Sequence, residues 1–192
     1  MIEPNPDIND LFSDDILETN VFECDTIVSS KYYDMDHFSS LPTLLDKSCF
    51  SLYNTNSRSL LKNKIHYDTL FQSILDKNNF AFDFLTFTET WLNEDLENLV
   101  NFDGYTKITK NKTRIKEGGG LAIFVKDTIK HKIRNDIAVP SEFAEYFDCL
   151  FIQLDRKPND IVIGLIYRSP SHNTLKNLNK FICEIVDKMK KK

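Results

Sequence analysis

Long apolar runs are missing from this chain, and none approaches the roughly 18 residues that a membrane-spanning helix needs. The opening stretch, MIEPNPDINDLFSDD, lacks both a basic start and an apolar centre, so it does not read as a secretory signal. Close cysteine pairs are missing too. Cys24, Cys49, Cys149 and Cys183 lie far apart, without the paired spacing of a structural zinc site. Cys49 and Cys149 sit within apolar runs, where a free thiol behaves as a small hydrophobe. Reduced thiols are the expectation, in an intracellular protein for which nucleus and cytoplasm both stay open. A single Trp accompanies fifteen Phe and seven Tyr, so the aromatic weight of any core falls on phenyl rings. There is no internal repeat.

What is present suits a folded domain. With 192 residues, 41% hydrophobic and 28% charged, the chain can bury one real core and hardly two. The net charge of −5 is unevenly spread. Residues 1–48 hold eleven acids against two bases, Lys31 and Lys47, while the rest holds 18 acids and 22 bases. Residues 1–48 therefore read as an acidic, disordered segment with a short helix near Met35–Leu45, and residues 49–192 as a mildly basic domain. That balance is compatible with nucleic acid and does not demand it.

Within the domain, Cys49–Tyr53 suits a short buried strand, broken by NTNSRS. From Leu60 the apolar residues Leu60, Leu61, Ile65, Leu70, Phe71, Ile74 and Leu75 follow helical spacing, and Lys77-Asn78-Asn79 ends it. Phe80–Phe87 reads as a buried central strand. Further strands are expected at Tyr105–Thr109, Leu121–Val125, Cys149–Leu154 and Ile161–Tyr167. Ser169-Pro170-Ser171 opens a last helix with Leu175, Leu178, Phe181, Ile182, Ile185 and Val186 on its apolar face. The order predicts a mixed α/β protein with a largely antiparallel middle.

Single residues leave their roles open. Glu89, at the end of the central strand, is placed either to hold a hard cation or to cap the next turn. Asn56 either meets a phosphate or closes an Asx-turn, and Arg58 and Ser59 share its turn. Tyr167 ends a strand before Arg168, where a phenol can bond a developing phosphorane oxygen or simply sit at a sheet rim. Gly118–Gly120 precede a strand rather than a helix, so they read as a turn needing positive φ and not as a P-loop. His37, His66, His131 and His172 share no ligand spacing.

Taken together and in order, LYNTNSRSLLKNK, FDFLTFTETWLNE, FDGY, GGGLAIFVKD and IVIGLIYRSPS resemble the nuclease domain of non-LTR retrotransposons, within the endonuclease/exonuclease/phosphatase superfamily. The resemblance is collinear from about residue 50 to about residue 190. It implies an α/β (α+β) fold, a partial four-layer α/β sandwich with mixed, largely antiparallel sheets and helices outside. It implies phosphodiester hydrolysis, with Mg²⁺ or Mn²⁺ polarising the scissile phosphate and a His–Asp pair activating water. Position by position, Glu89 in TETWL takes the place of the metal-binding Glu. Asn56 in NSRSL takes that of the active-site Asn, with Asn54 as the alternative, and Tyr167 in YRSP that of the phosphate-contacting Tyr. DNA is the implied partner, together with a reverse transcriptase encoded by the same element.

The second half of that family pattern opens with a GDFN-like strand end and closes with a Ser/Asp-His pair. None of it can be placed before Lys192. A general base contributes about 10²–10⁴-fold, and a metal on a phosphoryl oxygen several kcal/mol. The chain is therefore expected to be a truncated nuclease domain with a weakly held metal and no useful hydrolysis. The alternative is a non-catalytic module that binds nucleic acid or protein. In either reading an uncovered apolar sheet face is expected.

Overall fold

The computed structural model describes residues 50–111, 119–144, 146–155, 160–168 and 175–190. Gly118, the acidic segment, its expected helix and the residues opening the last helix fall outside these.

The first strand, β1 (Leu52–Asn56), runs parallel to β2 (Phe84–Thr88), with Asn56 opposite Thr88. Parallel neighbours need a crossover, and α1 (Lys64–Asn78) supplies it. Asn79 ends α1 with φ +48 and its N–H on the Leu75 carbonyl, the left-handed cap that Asn tolerates. On its other side β2 pairs antiparallel with β4 (Leu121–Lys126), which pairs with β3 (Tyr105–Lys110). A second, antiparallel sheet joins β5 (Lys132–Ile133), β6 (Phe147–Leu154) and β7 (Ile161–Arg168). The helix α2 (Leu175–Lys190) closes the described chain. No described helix is long and apolar enough to cross a membrane.

The two sheets lie face to face, β6 over β3 and β4, β7 over β2 and β4. Phe84, Ile108, Leu121, Ile123 and Val125 from the first sheet meet Leu150, Ile152, Leu154 and Leu165 from the second. Successive residues of a strand point to opposite faces, so Leu85, Phe87, Ala122 and Phe124 turn outward. There they pack with Tyr67 of α1, Val100 and Phe102. In the second sheet Phe147, Cys149 and Phe151 turn outward to Phe181 and Ile185 of α2. Phe147 and Phe181 stack with centroids 4.5 Å apart. The layers are helix, sheet, sheet, helix, as expected. Because β4 is buried on both faces, LAIFV is continuously apolar rather than alternating.

Three expectations need correction. The first strand is Leu52–Asn56, three residues later than Cys49–Tyr53, and it is not buried. Tyr53 and Thr55 face α1, while Leu52 (46% exposed), Asn54 and Asn56 occupy an inner face open to solvent. Phe80–Phe82 precede the central strand. There Asp83 Oδ2 accepts the Ser51 N–H and hydroxyl at 2.8 and 2.9 Å, a local knot at the start of the β1–β2 ladder. On α1, Ile65 is 80% exposed and Tyr67 is buried in its place, because the buried face turns toward Phe87 and Phe102.

Candidate functional site

The C-terminal ends of the parallel pair β1–β2, the start of β4 and the end of β3 share one edge of the first sheet. Lys110 Nζ, at the end of β3, donates to the Cys149 carbonyl at 3.4 Å, so the second sheet brings the start of β6 and the end of β7 to that same edge.

Two loops build the rim. After β1, Ser57 is buried, with its N–H on the Thr88 carbonyl at 2.9 Å. Its hydroxyl donates to the Thr88 and Glu89 carbonyls. The Ser59 and Leu60 N–H groups continue onto the Glu89 and Thr90 carbonyls at 2.9 and 3.0 Å. Asn63, before α1, ties this turn down by donating to the Ser57 and Ser59 carbonyls. From the other side the Thr90 N–H meets the Gly120 carbonyl at 3.2 Å and the Trp91 N–H that of Gly119 at 3.1 Å. Residues 89–91 are thus held on both flanks after β2 has ended.

That double hold maintains unusual backbone. Glu89 has φ +50 and Trp91 φ +55, while Arg58 and Ser59 across the loop have φ +41 and +81. Left-handed backbone costs an L-residue with a side chain about 1–2 kcal/mol. Such outliers persist only where the surroundings over-determine them, and they gather at functional sites. Gly119 and Gly120, at φ +85 and +84, carry positive φ as expected for the glycine run.

The sequence-predicted residues fall as follows. Glu89 and Tyr167, 78 residues apart, meet directly: the Tyr167 hydroxyl donates to Glu89 Oε1 at 2.8 Å, across the two sheets. Both are half-buried. Asn56 stands exposed on the same rim, and its Oδ1 accepts the Arg58 N–H at 3.2 Å, an Asx-turn. Asn54 Oδ1 is taken by the Thr86 hydroxyl at 2.9 Å, which draws it into the sheet. Exposed Arg168 follows Tyr167 at the end of β7. His66 lies on the exposed side of α1, and His131 Nδ1 is 3.1 Å from the Ile129 carbonyl. His37 and His172 lie outside the described residues.

Sequence reasoning missed Ser57, Asn63 and Asp148. Asp148 is buried at the start of β6, in register with Tyr167. Its signal was a lone acid between Phe147 and Cys149, passed over because the strand was expected to begin one residue later.

The donor set suits a hard cation sparsely. Among the described residues no three His, Cys, Asp or Glu side chains come together as a metal cluster. Tyr167 engages one Glu89 oxygen, and the buried hydroxyl of the next residue, Thr90, has no hydrogen-bond partner among the described residues. Mg²⁺ needs only one or two carboxylates when phosphate oxygens and water complete its shell. Glu89 would be the protein ligand, and the ion would supply positive charge at a phosphate.

No family model matches the sequence, and no curated protein does. Solved structures match the fold. The AP endonuclease LMAP from Leishmania major has a TM-score of 0.53 at 19% identity, over 77% of this chain and 49% of that one. This is an endonuclease/exonuclease/phosphatase-type fold. A humanized D. rerio TDP2 aligns at TM-score 0.47 and 13% identity, over 74% of this chain and 60% of that one. The human Nocturnin catalytic domain aligns at 0.45 and 10%, over 73% and 57%. These neighbours belong to the endonuclease/exonuclease/phosphatase superfamily. The chain spans about half the length of the first of them.

Proposed function

We propose that this chain is part of a metal-dependent phosphodiesterase-type nuclease domain of the non-LTR retrotransposon kind, one that engages DNA phosphates but does not hydrolyse them by itself. The observation that carries this reading is the bond between Tyr167 and Glu89 on a strained, doubly held loop. A phenol and a carboxylate at one rim, with Asn56 beside them, offer a cation and a phosphate adjacent places. The superfamily resemblance gives Glu89 the metal, weakly held Mg²⁺ or Mn²⁺, and gives Asn56 and Tyr167 the phosphate. Inactivity follows from what the described site offers as a base. The described imidazoles, His66 and His131, belong to other parts of the fold, and a general base carries about 10²–10⁴-fold of rate. A reverse transcriptase of the same element is the proposed protein partner.

The test is nicking of supercoiled plasmid in Mg²⁺ by wild type and by Glu89→Ala. Neither protein should nick. If wild type nicks and the variant does not, Glu89 holds a working metal and the inactivity is refuted. The second reading, a module that only binds, rests on the mildly basic balance of the domain. It predicts DNA affinity falling linearly with the logarithm of salt concentration.

A further inference from the structure

Asp148 is 5% exposed, although its neighbours along the inner face of β6 are Leu150, Ile152 and Leu154. A carboxylate in such surroundings is costly unless hydrogen bonds or an opposite charge compensate it. Two contacts show what it bears on. A Cβ built on Gly119 would lie 3.4 Å from Asp148 Oδ2, an ordinary contact distance, so the carboxylate lies one side-chain atom away from the glycine. In the ladder Asp148 faces Tyr167, with both side chains on the inner face.

These contacts close a circuit. Asp148 backs Gly119, and the Gly119 carbonyl holds the Trp91 N–H. Trp91 and Glu89 carry the left-handed backbone, Glu89 accepts the Tyr167 hydroxyl, and Tyr167 stands beside Asp148 on the next strand. We infer that Asp148 is a positioning residue for Glu89, acting through Gly119 and Trp91 to hold the carboxylate at Tyr167.

The only tryptophan of the chain is Trp91, so its emission reports this loop and nothing else. Wild type, Asp148→Asn, Gly119→Ala and, as a control, Leu150→Ala would be compared by urea denaturation and by acrylamide quenching of the native proteins. Trp91 is 37% exposed, so releasing its loop should raise the quenching constant roughly two- to threefold and shift emission to the red. Asp148→Asn and Gly119→Ala should both do this. Leu150→Ala should lower the urea midpoint and leave Trp91 unchanged. Asp148→Asn behaving like Leu150→Ala, or changing neither readout, overturns the inference. If Asp148→Asn does not fold, Asp148→Ser decides, and unchanged Trp91 quenching in that variant is the overturning result, because Gly119→Ala at φ +85 is strained in its own right. Neither readout needs metal or DNA, so this inference stands or falls separately from the nuclease reading.

Discussion

Replacing Tyr167 by Phe removes one oxygen atom and with it the donor that reaches Glu89 across the two sheets. A hydrogen bond to a charged group contributes about 1.5–3 kcal/mol when its partner is left buried. Both residues here are half-buried, so water takes over part of the vacated valence, and about 1 kcal/mol is expected. In a domain of this size that is roughly 3 °C in Tm. A single variant would confound the bond with lost packing of the ring edge, so the assay is a double-mutant cycle in urea. Wild type, Tyr167→Phe, Glu89→Ala and the double variant are compared, Ala removing the acceptor that the phenol reaches. The cycle should return a coupling of about 1 kcal/mol. A coupling below about 0.3 kcal/mol, within the additivity of independent sites, would show that phenol and carboxylate do not act as a pair. The reading of the site would then lose its main support.

Other features yield further expectations. Since Glu89 sits at φ +50, Glu89→Gly should be more stable than Glu89→Ala by about 1 kcal/mol, and the reverse order in urea would refute the strain. Gly164 lies opposite Phe151 in the ladder, and a methyl group there would fall 2.3 Å from its ring, which is 3% exposed. Gly164→Ala should therefore cost about 1–3 kcal/mol, with a smaller cost when Phe151→Leu is added. Burial and the nearby Asp83 carboxylate push the Tyr105 phenol up to about 12, while its hydroxyl donates to the Phe82 carbonyl. The raised value means that its stabilisation is intact below the ordinary tyrosine value of 10.0 and declines from there to about 12. Alkaline unfolding curves of wild type and Tyr105→Phe should converge across that window. Burial also pushes the Cys149 thiol up, whereas Cys183 is exposed. With Cys24 and Cys49 replaced by Ser, a thiol reagent should label Cys183 promptly and Cys149 only on unfolding.

Much of the fold was legible because its strands announce themselves. The double burial of β4 makes LAIFV continuously apolar, and β3, β6 and β7 were placed within one or two residues by pattern alone. The first strand was misplaced for a physical reason. Its inner face is open, so Asn54 and Asn56 are admissible strand residues, and a search for apolar runs stops before them. Ile65 misled the reading of α1 because helical spacing alone does not say which flank of the stripe meets the sheet. At the site, Glu89 and Tyr167 were singled out from motif resemblance, yet nothing local to either predicts a bond between them. Left-handed backbone at Glu89 and Trp91 was equally hidden, since neither residue favours it and only the flanking loops impose it.

One consequence of β1 remains. Among the described residues it has a single neighbour, β2, its inner face is exposed, and its last residue, Asn56, leads directly into the turn that grips Glu89. Strands of this kind open locally at a fraction of the free energy of global unfolding. The site is therefore fastened to an edge of the sheet, and peeling of β1 is expected to end its geometry before the core unfolds. Amide exchange at residues 57–60 should follow β1 and run ahead of β4.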